Sequence, residues 1–283
     1  MDQRSPWPRR FRRIVLILAI IYVLLCILIT VAQRRMIYFP TRVSAGAAQG
    51  WAAASQLTAW TNSSGQEIGW KRLASGGQVL ILHGNAGCAL DRDFYVEKFQ
   101  EAKAFDVYIL EFPGYGSRPG SPTQISIFQA ASDALKLLKT RGPVYVVGES
   151  LGTGAACYLA GTFPDSVAGL ALVAPYNNFT AAARAHMPLF PVRWMLWDRY
   201  SSDSYLKNYK GPAAFLVAGR DQVVPPALGR KLFAEYTGAK RLWEYPQATH
   251  NDVHSIAPNV WREVVAFWSE TNRIASVSSP VRN

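Results

Sequence analysis

In "VYVVGESLGTGAA", residues 144–156, a serine sits at the centre of a Gly-x-Ser-x-Gly spacing formed by Gly148, Glu149, Ser150, Leu151 and Gly152. A serine hydroxyl is a weak nucleophile near neutral pH. To attack a carbonyl it needs a base within hydrogen-bond reach, a group that orients the base, and donors for the oxyanion that forms. Apolar "PVYVV" before the serine and helix-compatible "LGTGAACYLA" after it put Ser150 on a strand-to-helix turn. Glycines there let strand and helix approach closely, and the helix N-terminus favours developing negative charge. A glycine-lined turn with no chemistry also fits these five residues, so the assignment depends on partners elsewhere in the chain.

His250, in "EYPQATHND", follows an extended "RLWEY" and precedes a helical pattern, the place expected of a base that comes last in the chain. His254, four residues on, is its rival; His83, ending a strand before glycine, is expected to brace a loop, and His186 falls in an insertion. Asp221, just past the strand of "AAFLVAGRDQVVP", is the expected orienting acid, with Asp252 and Asp203 as alternatives. Asp252 is the weaker candidate, because it is too near His250 in sequence to approach the far ring nitrogen. One oxyanion donor is expected from the N–H of Leu151 and a second from "LHGNAG", through Asn85 or Ala86. "GYGSRPG" lacks the glycine spacing and uninterrupted helix of a dinucleotide site. His250 and His254 lack the Glu of a helical zinc motif, and neither a metal nor a cofactor is expected.

Short apolar runs without polar alternation ("QVLILHG", "FDVYILEF", "PVYVVGES", "VAGLALVAP", "AAFLVAGRD") are separated by segments of helical spacing. That pattern predicts a parallel sheet covered by helices on both faces. Residues 40–65, rich in small side chains, read as a linker into a first extended segment. One stretch, residues 176–210, is too long and too aromatic for an ordinary connection and predicts a helical cap over the carboxyl edge of the sheet. Its Phe179, Met187, Phe190, Trp194 and Trp197 are expected to roof an apolar pocket, favouring acyl esters or thioesters over polar sugars.

"IVLILAIIYVLLCILITVA", Ile14 to Ala32, is uncharged and long enough to span a bilayer, and "VAQRRMIYFP" after it offers no good cleavage site. The sequence therefore divides into a basic N-terminus (1–13), an anchor (14–32), a globular domain (33–272) and a tail (273–283). Five arginines precede the span while Arg34, Arg35 and Arg42 follow it, which predicts a cytoplasmic N-terminus and a domain on the far side, periplasmic in a bacterium. Trp7, Tyr22 and Tyr38 are expected near the membrane interfaces. Residues 1–45 hold +7 of the net +11 and the remaining 238 residues only +4, so the globular part carries no expected nucleic-acid face. The three cysteines form no disulfide framework.

In order, "HGNAG", "FPGYGSRPGSP", "GESLG", "AGRDQVVP" and "THND" resemble the α/β-hydrolase superfamily, and the "QRRMIYFP" segment resembles its membrane-anchored branch related to bud-emergence and serine-aminopeptidase-like hydrolases. The resemblance covers about residues 33–270. It implies Ser150 as nucleophile, Asp221 as acid, His250 as base, Asn85 with Leu151 as oxyanion donors, and a small-molecule or lipid-derived acyl substrate. Where that branch often carries an arginine before the "GYG" glycine, this chain has Pro113. A peptidase and a non-catalytic scaffold on the same fold are the rival expectations.

Overall fold

Side chains alternate direction along a strand, so a strand apolar at every position feeds two cores. In this computed structural model, which describes residues 9–255, 257 and 259–278, the third and fourth strands show the effect. Leu80, Leu82, Tyr108 and Leu110 point into one core, whereas Val79, Ile81, Val107 and Ile109 point into the other.

The eight strands in chain order are β1 (Thr58–Thr61), β2 (Glu67–Arg72), β3 (Gln78–Leu82), β4 (Asp106–Leu110), β5 (Val144–Glu149), β6 (Val167–Val173), β7 (Ala213–Ala218) and β8 (Lys240–Tyr245). They form one sheet in the order β8-β7-β6-β5-β3-β4-β2-β1. β3 to β8 are parallel, and β2 runs antiparallel to both β1 and β4. After β4 the chain crosses back to place β5 on the other side of β3, with Leu82 opposite Gly148. The switch point of an open α/β sheet lies there, and its crevice opens at the carboxyl ends of β3 and β5.

The helices are α1 (Arg9–Ile37), α2 (Ala45–Ala54), α3 (Phe94–Lys103), α4 (Gln124–Lys139), α5 (Leu151–Thr162), α6 (Phe179–His186), the one-turn α7 (Val192–Met195) and α8 (Ser202–Tyr205), α9 (Pro226–Glu235) and α10 (Val260–Ser278). α2, α3 and α10 cover one face of the sheet, where Tyr95, Phe99, Trp261 and Trp268 interlock. α4, α5, α9 and the cap helices cover the other.

Three boundaries differ from the sequence expectation. The 40–65 linker contains α2, whose N-terminus is capped by the Ser44 hydroxyl accepting from the Ala47 N–H at 3.2 Å. Alanine is the best helix former, but α2 buries only Ala48 and Ala52, too narrow a stripe to show as apolar periodicity. α1 is continuous beyond both ends of 14–32. α10 runs through Ser278, past the expected start of a tail at 273, because no proline interrupts the chain before Pro280. Residues 1–8 and 279–283, and with them Trp7 and the outer parts of both terminal segments, lie outside the described residues.

Gly50, exposed on α2 with nothing within 4 Å of an added Cβ, loses more backbone entropy on folding than alanine would. Gly50→Ala is expected to stabilise the domain by about 0.5–1 kcal/mol, read as a higher thermal midpoint of the detergent-solubilised chain.

Candidate active site

Ser150 ends β5 with φ 51° and ψ −116°, a conformation that L-residues rarely adopt. Such strain costs about 1–3 kcal/mol and persists only when the surroundings enforce it. Here its N–H donates to the Val173 carbonyl (2.9 Å), and its own carbonyl accepts from the Thr153 N–H (2.9 Å) and hydroxyl (2.6 Å). A Cβ on Gly148 would strike the Gly152 carbonyl and Thr153, and one on Gly152 would strike the carbonyls of Leu82 and His83. Both glycines of the spacing are there for close approach, and the turn throws the Ser150 hydroxyl to the top of the sheet.

Two later strands deliver the partners. Asp221 follows β7 and is buried; its Oδ1 accepts from the N–H groups of Val223 (2.8 Å) and Val224 (2.7 Å), which leaves Oδ2 aimed at His250. His250 follows β8 and lies 2.7 Å through Nδ1 from Asp221 Oδ2 and 3.0 Å through Nε2 from Ser150 Oγ. An ionised carboxylate only accepts, so Nδ1 carries the proton and Nε2 is left to accept from the serine hydroxyl. The chain thus brings together the three residues singled out in its sequence. The alternatives are occupied elsewhere: Asp252 Oδ1 accepts from the Thr249 N–H within its own turn, Asp203 takes the Asn178 amide, and His254 stacks on Phe94 with centroids 4.3 Å apart.

The loop after β3 faces the serine across the crevice. Neither the Leu151 N–H nor the Asn85 N–H donates a hydrogen bond among the described residues, so both are available to an incoming oxygen. The Asn85 side chain instead donates to the Ile37 carbonyl (3.0 Å), and the Asn85 carbonyl accepts from Phe39 N–H (2.9 Å) and from the Tyr115 hydroxyl (2.8 Å). The segment after α1 therefore holds this loop through a two-residue parallel ladder, Phe39–Pro40 with Ala86–Gly87.

Beneath the loop lie His83, expected to brace it, and two acids, Glu149 and Glu111, that the sequence reading left unassigned. Glu149 pairs with Arg92 at 2.7 Å and receives the Tyr95 hydroxyl at 3.4 Å. Burial alone would push its carboxyl up, but the Arg92 guanidinium holds it below the usual range. Glu111 Oε1 accepts from the Ala89 N–H (3.0 Å), and its carbonyl accepts from Arg118 (2.6 Å). His83 accepts from the Phe112 N–H through Nε2 (3.2 Å), so its proton sits on Nδ1 and donates to the Gly84 carbonyl (2.8 Å). A carboxylate ending an apolar strand, as in "YILEF" and "VVGES", was the signal for both acids; their partners were not legible.

One cavity of about 350 Å³ is lined by Ser150, Leu151 and Asn85 and continues along Tyr176, Phe179 and Met187. Of the expected roof, Phe179 and Met187 line it. Phe190, Trp194 and Trp197 do not: Phe190 stacks on Tyr22 of α1 at 6.0 Å, Trp197 lies under the Arg34 guanidinium at 5.4 Å, and Trp194 is 81% exposed. The chain turns at Pro191, and α7 has only one apolar side, formed by Val192 and Met195, to give to the cavity. Tyr22, expected at an interface, lies well inside α1 and donates to the Leu189 carbonyl at 2.8 Å.

A mostly parallel sheet with this strand order, a strained serine after β5 and an acid and a histidine after β7 and β8 give the α/β-hydrolase fold, and the sequence profile of the alpha/beta hydrolase fold matches residues 77–200. The chain has the α/β-hydrolase fold. It is 29% identical over 252 residues to an uncharacterized protein of Mycobacterium tuberculosis, a match covering 84% of this chain and 88% of that one. It is 30% identical over 200 residues to the lysophosphatidylserine lipase ABHD12 of Mus musculus, covering 62% of this chain but only 50% of the lipase. Protein bem46 of Schizosaccharomyces pombe is 29% identical over 186 residues, covering 62% and 61%. Among solved structures, esterase Pf2001 of Pyrococcus furiosus superposes with a TM-score of 0.62 over 83% of this chain and 97% of its own, at 15% identity, a likeness of fold.

The buried cluster gives the stability a definite pH dependence. The Glu149 carboxyl is more acidic folded than unfolded, so its contribution is complete above the unfolded carboxylate range and is lost as pH falls through the lower folded value. His254 is also depressed, mainly by burial, so below its unfolded value of 6.5 the unfolded chain takes a proton first and stability falls. At constant ionic strength the thermal midpoint is expected to drop between pH 7 and pH 5, and His254→Phe, which keeps the stack on Phe94, should flatten that drop. Glu149→Gln removes the charge facing Arg92, whose remaining ion pair is with Asp91 at 3.8 Å, and should cost about 2–3 kcal/mol at pH 7, below the range for fully buried pairs because both side chains keep some solvent contact.

Proposed function

We propose that the protein is a membrane-anchored serine hydrolase that cleaves carboxyl esters or thioesters of apolar acyl groups through an acyl-Ser150 intermediate. The observation that carries this reading is His250 bridging Ser150 Oγ and Asp221 Oδ2 in one hydrogen-bonded line. Lipase and esterase relatives support it, as does the apolar lining of the cavity beside the serine.

In this mechanism Ser150 Oγ attacks the acyl carbonyl while its proton passes to His250 Nε2. Asp221 steadies the imidazolium that results, through Nδ1. The oxygen, now negative, receives the N–H groups of Asn85 and Leu151 at the positive end of α5, and a single donor of this kind is worth about 10²–10³ in rate. Collapse of the tetrahedral species breaks the bond to the leaving oxygen or sulfur, and His250 returns the proton to it. Water then repeats the sequence: His250 takes its proton as it attacks, the acyl–Ser150 bond breaks as His250 returns that proton to Ser150 Oγ, and a carboxylic acid leaves.

Residues 14–32 act as the anchor and 33–272 as the catalytic domain, with 176–210 as its cap. The arginine excess before the span supports a cytoplasmic N-terminus with the hydrolase domain on the opposite side.

For the full chain in detergent, Ser150→Ala is expected to lower kcat on p-nitrophenyl butyrate by about 10³-fold or more and to abolish fluorophosphonate labelling. Activity that survives this substitution would sink the assignment. Asp221→Asn should keep the folded chain but cost about 10²–10⁴ in kcat, since the imidazole loses its orienting acceptor.

A further inference from the structure

The cavity beside Ser150 is not closed by the cap alone. Its walls include Ile29, Thr30, Gln33, Met36 and Ile37, all from the C-terminal part of α1. These residues overlap the last turn of the apolar span, so the helix that crosses the membrane is also part of the acyl site.

The cap follows the same helix much further. Tyr22, Cys26, Thr30, Gln33 and Ile37 form one stripe at helical spacing. At its lower end the Tyr22 hydroxyl donates to the Leu189 carbonyl (2.8 Å) and the ring stacks on Phe190. Near the top, the buried Gln33 amide donates to the Met195 carbonyl (3.0 Å), and its oxygen accepts from the Trp197 N–H (2.9 Å). The next residue, Arg34, pairs with Asp198 at 3.5 Å. From Tyr22 to Gln33 the helix rises about 16 Å, roughly half the hydrocarbon thickness of a bilayer. Over this interval the cap turns three large apolar side chains outward, Leu189 and Trp194 each 81% exposed and Trp197 52% exposed, with the exposed Arg193 beside them. Water is a poor solvent for those three side chains and lipid a good one; Arg193 carries its charge on a long stem that can reach the interface, and the ion pair between cap and helix lies where the apolar span ends.

We propose that α1 and the cap together form a membrane-embedded portal, through which one acyl chain of a bilayer-resident lipid ester slides laterally to Ser150. The inference rests on the serine-hydrolase reading above and adds the substrate's location and route. At about 350 Å³ the cavity lies near the small end of ligand sites, about 300–1,000 Å³, and suits a single chain. The cap tip sits beside the middle of the span, and the scissile carbonyl stops at the level of the interface.

The test uses full-length protein in dioleoylphosphatidylcholine vesicles, with p-nitrophenyl acetate as the water-soluble ester and p-nitrophenyl dodecanoate as the bilayer-partitioned one. Ile29→Trp, which fills the wall contributed by α1, is expected to lower the dodecanoate-to-acetate ratio of kcat/KM by about tenfold or more. Leu28→Trp, on the lipid-facing side and 63% exposed, should leave the ratio unchanged. An unaltered ratio in Ile29→Trp, with Ser150 still labelled by fluorophosphonate, overturns the portal and leaves the hydrolase standing. Failure of the wild type on both esters, with no labelling, overturns both. An independent reading comes from a nitroxide on Leu189→Cys in a Cys26→Ala background: accessibility to oxygen above that to a nickel chelate is expected. The opposite order overturns the portal, whether or not Ile29→Trp folds.

Discussion

The close contact of β5 with α5 governs this site. Gly148 lets β5 approach α5, Gly152 lets α5 approach the end of β3, and the residues between them are forced through a turn with positive φ at Ser150. The hydrogen bonds from Ser150 N–H to Val173 and from Thr153 to the Ser150 carbonyl lock that turn to the neighbouring strand and to the first turn of α5. With the serine fixed, the crevice between β3 and β5 sets where an oxyanion can sit, and the ends of β7 and β8 set where the acid and histidine must come. Conformational strain at one residue is sustained by the packing of an entire parallel sheet.

Buried charge beneath the loop makes the arrangement stiff. Glu149 occupies the variable position of the serine spacing, and its carboxylate is neutralised by Arg92 rather than exposed to the crevice. Glu111 and His83 perform the matching task on the other side, tying the loop after β3 to the end of β4 through backbone N–H and carbonyl groups. Each of these groups would be costly to bury alone, and together they leave the N–H groups of Asn85 and Leu151 as the donors still open at the turn.

The anchor is coupled to the same loop. Ile37, the last residue of α1, accepts the Asn85 amide, and Phe39 pairs with the Asn85 carbonyl. Buried Tyr38 extends the link to the cap by donating to Asp198 and meeting the Tyr200 hydroxyl, both at 2.9 Å; burial raises its pKa, so the phenol stays neutral and keeps its proton to donate. A tether needs no such contacts. The apolar helix α1, the loop after β3 and the cap are thus joined by direct hydrogen bonds through Ile37, Tyr38 and Phe39.

The sequence by itself determined the layered α/β architecture, the span of apolar residues and the chain order of Ser150, Asp221 and His250. Each of these signals is local: a run of β-branched residues, a length without charge, a polar residue at the end of a strand. It did not determine which aromatic residues of the cap meet substrate. Phe179 and Phe190 have the same chemistry, yet one lines the cavity and the other stacks on Tyr22, because that choice depends on where α1 lies against the cap. Nor could it show that Glu149 and Arg92, 57 residues apart, form a pair. Periodicity tells which side of an element is apolar, but only the packed tertiary structure decides what that side touches, since contacts between elements are set by geometry summed over the whole sheet.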